Sequence, residues 1–449
     1  VITLRIALNN LLASRRRTAF LGIALFVVTL LFVLLLALTA GVTDNLIRGA
    51  TNISSGHVNI GGYYKATPSD SQTVVLNVSQ LKKEAKEALP DAVRVIDRLR
   101  GWGKIISDKG TAQSGLNGID IAEEGALLEL LALAPAKDYV EDPANPEETR
   151  GSLDCLAKPG TIMIFASTAK RLKVDVGDVV TLRTETLKGQ SNTAEATVGA
   201  VVRDLGLLSS FAAFVPKQTV IDLYQFKPDV SGAVQIYLRD IERSEAAMND
   251  LRAHLEKKGY AQLEHDGQPF FIKLLQTVPN EEWTGAKLDV TTWQDEASFL
   301  VQIITGLRAV SVFLILLLAV VIIVGITNTM TIAVRERTRE IGTLRAIGMN
   351  RGGILALFLL EAFFLGAIAA GVGGLVGGSV AAGIDAGAWK VDADAMRVVL
   401  LSNTLHLVPR LSDILIAVVS LTAVSMLAAF LPALRAARIT PVTAMQSVD

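Results

Sequence analysis

Four long apolar runs, 19–42, 309–334, 354–384 and 414–434, interrupt an otherwise polar chain of 449 residues. At about 1.5 Å per residue, each can cross a hydrocarbon core roughly 30 Å thick. Between the first and second runs lies a stretch of mixed polarity, roughly 250 residues long, which is enough for one core or two subdomains. The pattern predicts a membrane protein with four transmembrane α-helices and a large α+β extracytoplasmic domain inserted between the first and second. The boundaries fall at 1–43 (N-terminal interfacial helix and first span), 44–298 (inserted domain) and 299–449 (remaining spans and tail). The run after Arg17 is about 24 residues, longer than the 7 to 15 or so of a cleaved signal, so a retained anchor is expected.

Within the inserted domain, 161–164, 179–183, 195–203 and 234–238 read as strands, and 167–173 as a short helix before the turn Val176-Gly177-Asp178. Met248, Leu251 and Leu255 give 244–258 the stripe of a helix packed on a sheet. The stretches 136–151 and 267–285 read as loops. No proline occurs between Pro279 and Pro409, and Asp295 and Glu296 suit a helix start, so one unbroken helix is expected from near Gln294 into the second span. Its first 14 or so residues would extend about 20 Å beyond the apolar run as a stalk able to carry motion.

Hydrophobic residues make up 51% of the chain and charged residues 19%, and the mean hydropathy is positive. The formal net charge of -1 says little, but the placement of basic residues says more. Arg5 and Arg15 to Arg17 precede the first run, five arginines lie within 335–351, and Arg435 and Arg438 follow the last. The positive-inside rule puts these three regions and both termini in the cytoplasm. The inserted domain then falls outside, as does the loop carrying Asp385, Lys390, Asp392, Asp394, Arg397, Arg410 and Asp413.

The third run holds Gly373, Gly374, Gly377 and Gly378, two overlapping small-xxx-small pairs that let helices approach backbone to backbone. The pattern suits oligomerisation and internal packing equally. Glu361 lies in the same run, two to three turns from Arg351. A carboxylate at the bilayer centre costs about 2.5 to 3.5 kcal/mol on insertion scales, so it should sit near the interface or face a partner.

Catalytic chemistry is thin. There is no Walker A pattern, no His-Glu-x-x-His and no cysteine pair, and His57, His254, His265 and His406 are scattered. Without a phosphate-binding loop the chain cannot hydrolyse ATP by that route. No catalytic residue, metal site or nucleic-acid partner is expected. His57 reads as a structural or surface residue rather than a ligand or base, and the single Cys155 as a small buried or semi-buried thiol.

The segment after the second run is a charged amphipathic helix, 335–349. Glu336 and Arg339 are three apart and Glu336 and Glu340 four apart, while Ile341, Leu344 and Ile347 form an apolar edge beside Gly342, Ala346 and Gly348. It could fit a partner's groove or lie on lipid. Arg-Glu-Arg-Thr-Arg-Glu-Ile-Gly-Thr-Leu-Arg-Ala-Ile-Gly at 335–348, followed by an apolar span with Glu361 and many glycines, resembles the MacB/FtsX/LolC-E family of ABC transporter permeases. Three further pieces agree: Ala7-Leu8-Asn9-Asn10-Leu11-Leu12 through Arg17, 164–182 with its Gly177-Asp178 turn, and Pro432-Ala433-Leu434-Arg435-Ala436-Ala437-Arg438-Ile439-Thr440-Pro441.

The resemblance implies that 335–349 is a coupling helix seated on a separate ABC ATPase subunit through Glu336, Arg339, Glu340, Ile341, Gly342, Leu344, Arg345, Ala346 and Gly348. It puts Arg438 and Pro441 close to that ATPase. It further implies two ATPases, each binding ATP and Mg, two permease chains as a homo- or heterodimer, and a MacB-like exterior domain moved by mechanotransmission. The expected location is a bacterial inner membrane with the large domain periplasmic, and a periplasmic carrier or adaptor could join the assembly. Lipoprotein release is the first expectation. Efflux of drugs or peptides through an adaptor and outer-membrane channel is the second, and control of a cell-wall hydrolase the third. A sensor or scaffold that transports nothing is the alternative from a different class.

Overall fold

The computed structural model of the protein describes residues 6–7, 10, 15–67, 71–186, 190–206, 209, 212–387, 389, 405–441 and 444. Arg5, Leu8, Asn9, Leu11 and Leu12, and Lys390, Asp392, Asp394 and Arg397 of the last loop, lie outside the described residues. The chain runs α1 (Arg15–Ala50), β1 (Val58–Lys65), β2 (Val75–Leu76), α2 (Val78–Ala88), β3 (Ala92–Ile106), β4 (Thr111–Ile119), α3 (Gly125–Leu130), β5 (Thr161–Phe165), α4 (Ala166–Leu172), β6 (Val179–Glu185) and β7 (Ser191–Val202). It continues with β8 (Ala212–Pro216), α5 (Lys217–Tyr224), β9 (Val230–Ser231), β10 (Ala233–Leu238), α6 (Ser244–Lys257), β11 (Gly285–Thr292), α7 (Trp293–Glu296), α8 (Ser298–Glu336), α9 (Thr338–Ala346), α10 (Arg351–Ala386) and α11 (Leu411–Arg438). Two compact units result, one chiefly Asn45–Ile303 and the other built from Val1–Asp44, Ile304–Val391 and Thr404–Asp449.

The Asn45–Ile303 unit has two lobes that share β3. In the first lobe, β11, β1, β10 and the first half of β3 form an antiparallel sheet, Ala92 to Arg98 pairing with β10. Helices α2 and α6 cover one face through Leu81, Ala85, Met248, Leu251 and Leu255, which meet Val58, Ile60, Ile236 and Val290. Each of these side chains except Ala85 contributes roughly 1.5–3 kcal/mol on burial. In the second lobe, Leu99 to Ile106 of β3 pair with β4, and the order continues β8, β5, β7, β6. There, β6 returns to pair with Lys104 to Ile106, closing six strands into a ring. Leu99, Leu116, Ile162, Ile164, Leu182, Val198 and Val215 fill it.

The strands and helices read from periodicity all form, with ends shifted by a residue or a few. The Gly177 turn has φ +98, and Asp178 accepts the Asp175 N–H at 2.8 Å. Burial pushes the half-buried Cys155 thiol up to about 11, so it stays protonated near neutral pH. The two loop readings need correction. Ala136 and Tyr139 are buried in the second lobe, so 136–151 is only partly exposed. The stretch 267–285 contains consecutive helical turns from Phe270 to Asn280. These turns bury Lys273, whose Nζ lies 2.8 Å from Asp289 and 3.1 Å from Asp266. The unbroken helix expected from Gln294 is also interrupted. Thr292 and Asp295 form a capping box that starts α7, Ala297 leaves helical geometry at φ -111 and ψ 35, and α8 begins at Ser298.

In the other unit α1, α8, α10 and α11 are each long and apolar enough to cross a membrane. The glycines of α10 are used within the chain. A Cβ on Gly373 would lie 2.6 Å from the Phe26 carbonyl oxygen and one on Gly377 3.2 Å from that of Leu30, both in α1. Added to Gly374 or Gly378, it would meet Val418 or Ile414 of α11 at 3.0 or 2.7 Å. The two small-residue pairs therefore seat one helix on each side of α10. Gly371 has nothing within 4 Å of its Cβ position. Gly373→Leu is expected to destabilise the purified protein by at least the roughly 1–3 kcal/mol typical of overpacking, while Gly371→Leu changes little. Melting curves in one detergent check this, and equal losses in both variants would refute the packing assignment.

Of the two readings of His57, structural or surface, the structure shows the first. Its Nδ1 accepts the Leu238 N–H at 3.0 Å, and burial, aided by the nearby Arg94, lowers its pKa to about 4. A histidine depressed on folding contributes stability above its unfolded value of about 6.5 and loses it as pH falls towards 4. His57→Asn should flatten the fall in stability across that window. Urea titrations at several pH values give the slope, which an unaltered profile would assign to other groups.

Candidate functional site

The charged segment after the second span is not one helix over 335–349. Arg335 and Glu336 close α8, Arg337 breaks the path at φ -103 and ψ 16, and α9 covers only Thr338–Ala346. Thr338 Oγ1 donates to the Val334 and Arg335 carbonyls at 3.1 and 2.9 Å, the local competition that favours a bend. At the far end Gly348 takes φ +110, and the Met349 N–H reaches the Leu344 carbonyl at 3.0 Å. Asn350 then caps α10 by accepting the Gly353 N–H at 2.7 Å.

The residues read as one docking set divide by face. Ile341 is buried among Val334, Ile354, Phe358, Ala433, Ala436 and Ala437, and Leu344 packs on the same cluster. Gly342 is buried against the tail, where a Cβ would lie 2.5 Å from that of Ala444 and 3.8 Å from the Pro441 carbonyl oxygen. Arg345 donates to the Ile439 carbonyl. These four hold α9 to its own chain, because a glycine and a buried isoleucine let the tail lie flat on the helix. The other face carries Arg335, Glu336, Arg339, Glu340, Thr343, Ala346 and Gly348, all exposed, with Ile347 86% exposed. Arg438 is exposed and Pro441 half-buried. Thr343 and Ile347 join the exposed face from outside the expected set, although the apolar edge of the sequence already included Ile347.

Glu361 is buried and paired, but not with Arg351. Its Oε1 accepts from Asn10 Nδ2 at 2.6 Å and lies 3.1 Å from Arg337 Nη1, while Arg337 Nη2 reaches the Asn10 carbonyl at 3.4 Å. The carboxylate thus ties the N-terminal segment to the residue where α8 breaks into α9. Sequence reasoning missed Asn10 and Arg337 in this role. Nothing in the sequence singles out Arg337 among Arg335, Arg337 and Arg339; the available signal was that Glu361 lies ten residues into α10, about 15 Å beyond Arg351 and so too far to pair with it.

Among the described residues, Glu84, Glu87 and His254 have donor atoms close enough to share a cation. Lys258 already occupies that role, 3.0 Å from Glu84 and 3.4 Å from Glu87. Bonds from His254 and Lys258 lower the Glu84 pKa to about 2.

Residues 312–441 match the FtsX-like permease C-terminal family, which covers the exposed face of α9, the Arg337 break and Glu361 together. Over 312–441 the chain is thus similar to FtsX-like permeases. It resembles the MacB/FtsX-like ABC permeases more widely. Over 301 residues it is 27% identical to the macrolide export ATP-binding/permease protein MacB of Agrobacterium fabrum, covering 65% of this chain and 39% of that protein. It is 36% identical over 124 residues to the pyoverdine export ATP-binding/permease protein PvdT of Pseudomonas syringae pv. tomato, covering 28% of this chain and 16% of that one. The chain therefore spans well under half the length of these relatives. The periplasmic region of MacB from Actinobacillus actinomycetemcomitans aligns with 56% of the chain and 94% of its own length, at 13% identity and a TM-score of 0.30.

Removing one member of a buried ion pair exposes the other to the cost of desolvation, which a paired apolar replacement avoids. Glu361→Leu should lower stability by about 1–3 kcal/mol, and Arg337→Met with Glu361→Leu should regain much of it. A double-mutant cycle in detergent measures the coupling, and strict additivity would show that the pair does not act as a unit.

Proposed function

We propose that the chain is the permease subunit of an ABC transporter and that the exposed face of α9 docks a separate ATPase. The supporting observation is the division of α9. Its apolar edge is held by the chain's own tail and by α10, while Arg339, Glu340 and the largely exposed Ile347 face outward on a helix fixed at both ends. An exposed isoleucine beside alternating charges suits an interface with an apolar centre and a charged rim. Such a helix transmits force because its mount is rigid.

In this reading two ATPase copies bind ATP and Mg and drive two permease chains, and this chain performs no chemistry. The protein sits in a bacterial inner membrane with both termini cytoplasmic and the Asn45–Ile303 unit periplasmic, in keeping with the arginines at 335–351 and after 434. Lipoprotein release to a periplasmic carrier is the first reading of the substrate. Export of a small molecule or peptide through an adaptor and outer-membrane channel is the second, favoured by relatives named for macrolide and pyoverdine export.

Reversal of Arg339 and Glu340 should abolish both co-purification of an ATPase and the ATPase activity of the eluate, with melting unchanged, since exposed substitutions alter stability by less than about 0.5 kcal/mol. A pull-down in mild detergent with mass spectrometry reads the partner. An ATPase retained at full activity in the reversed variant would overturn the docking assignment, and a co-purified lipoprotein or adaptor would choose between the two substrates.

A further inference from the structure

The two lobes of the Asn45–Ile303 unit have separate apolar cores that divide within β3, Val95 belonging to the first and Leu99 to the second. The two residues just before the division, Asp97 and Arg98, carry charge and are buried. Arg98 is 1% exposed and donates through Nε and Nη2 to Glu124, at 2.6 and 2.5 Å, just after β4 in the second lobe. Asp97 is paired with Lys82 of α2 in the first lobe at 3.1 Å and with Lys217 of α5 in the second. Lys82 also reaches Glu123 of the second lobe at 3.3 Å. The lobes are thus joined by the continuous strand β3, by the return of the chain from α5 to β10 and by a seam of ion pairs, and polar interfaces of this kind permit relative motion that a shared apolar core would prevent.

The end of α1 is built into the same seam. After Ala50 the helix widens into a π-turn, Thr51–Ser55, that stops at Gly56 with φ +66. A π-turn at a helix end leaves carbonyls for outside donors. The Ile53 carbonyl accepts from Arg98 Nη1 at 2.9 Å, that of Ser54 from Gln235 Nε2 at 2.8 Å, and that of Thr51 from the Tyr237 hydroxyl at 3.1 Å. Gln235 and Tyr237 stand on β10 in the first lobe, whereas the Ile53 side chain is buried with Leu127, Phe165 and Phe214 in the second. This single turn therefore grips both lobes.

We propose that the two lobes hinge at Arg98 and Leu99, and that Arg98, held by Glu124, is the positioning residue through which the end of α1 sets the angle between them. The use of this hinge to pass ATP-driven motion outward rests on the function proposed above; the hinge itself does not. A buried ion pair contributes little net stability compared with apolar residues of similar size, so its place at the seam is explained by geometry better than by strength.

The test uses the full chain in lipid nanodiscs, with Cys155→Ser and spin labels at two exposed positions, Lys86→Cys on α2 and Lys170→Cys on α4. Pulsed electron paramagnetic resonance then reads the distance between the lobes without any ATPase. The parent should give one narrow distribution. Arg98→Met with Glu124→Leu replaces that one pair by apolar side chains of similar size and leaves the Asp97 pairs in place, and is expected to broaden or split that distribution while leaving the melting temperature near the parent's. Gln235→Leu and Tyr237→Phe each remove one bond to the turn, together with the bond from the Tyr237 hydroxyl to Gln235 Oε1 at 3.3 Å, and should speed amide exchange at Thr51 to His57 about fivefold to tenfold. Lys137→Ala, which breaks an exposed pair with Glu147 inside the second lobe, serves as the control and should change neither reading. An unchanged distribution in the double variant, or the same broadening in the control, would overturn the hinge. Either result leaves the ATPase-docking assignment to its own experiment.

Discussion

Inside lipid, apolar side chains gain nothing by leaving one another for a hydrocarbon surround, so helices are held by close packing and a few polar bonds. Here that close packing runs along α10. Its glycines admit the backbone of α1 at Gly373 and Gly377 and the side chains of α11 at Gly374 and Gly378. One turn or two nearer its start, Gly366 admits Ser425, whose hydroxyl donates to the Ala362 carbonyl at 3.0 Å. The position of α10 then fixes Glu361, and through Glu361 the arginine at which α8 gives way to α9. A bulky side chain in the glycine row would disturb the mount of the charged helix without touching it.

The same logic explains why a carboxylate is tolerated in an apolar helix. Left alone it would cost several kcal/mol, but Asn10 and Arg337 both reach it, and the three groups come from separate segments. The arrangement places a charge-assisted contact at the only break between α8 and α9, where backbone geometry is least constrained by helical hydrogen bonds. Rigidity in α9 therefore comes from an ion pair at its start, a glycine turn at its end and the tail across its middle.

The parts of this structure that were legible in the sequence are those set by local pattern. The four long apolar helices follow from length and hydropathy, the helix α6 from Met248, Leu251 and Leu255, and a helix within the charged segment after α8 from its apolar edge. Periodicity also identifies an apolar edge on α9, but it cannot say what covers such an edge. Ile341 and Leu344 fit a docking surface by pattern and are covered by the chain itself, which leaves Ile347 outside. Contacts between distant segments were not legible for the same reason. Asn10 and Glu361 are 351 positions apart, and nothing in the composition of either neighbourhood names the other. Lys273 is hidden in a stretch that reads as a loop, because a lone lysine looks solvent-exposed until Asp266 and Asp289 are seen around it.

Where contacts are apolar and where they are polar also predicts which parts can move. Sliding an apolar core exposes surface to water and is opposed throughout the displacement, whereas a polar contact can exchange one partner for another at small net cost. The first lobe, the ring of the second and the glycine-packed helices each have an apolar or close-packed interior. The residues that join elements are different in kind. The end of α1 rests on Arg98, Gln235 and Tyr237, and the start of α7 is tied to β1 through a Trp293 N–H donated to the His57 carbonyl at 3.1 Å. Because β1 and β11 are paired from Val58 and Thr292 onward, the strand that follows α1 and the strand that precedes α7 are neighbours in one sheet. A displacement arriving along either strand is therefore shared with the other and with the first lobe's core, to which Val58, Ile60 and Val290 belong, and in the proposed hinge the polar seam at Arg98 takes it up as a change of angle.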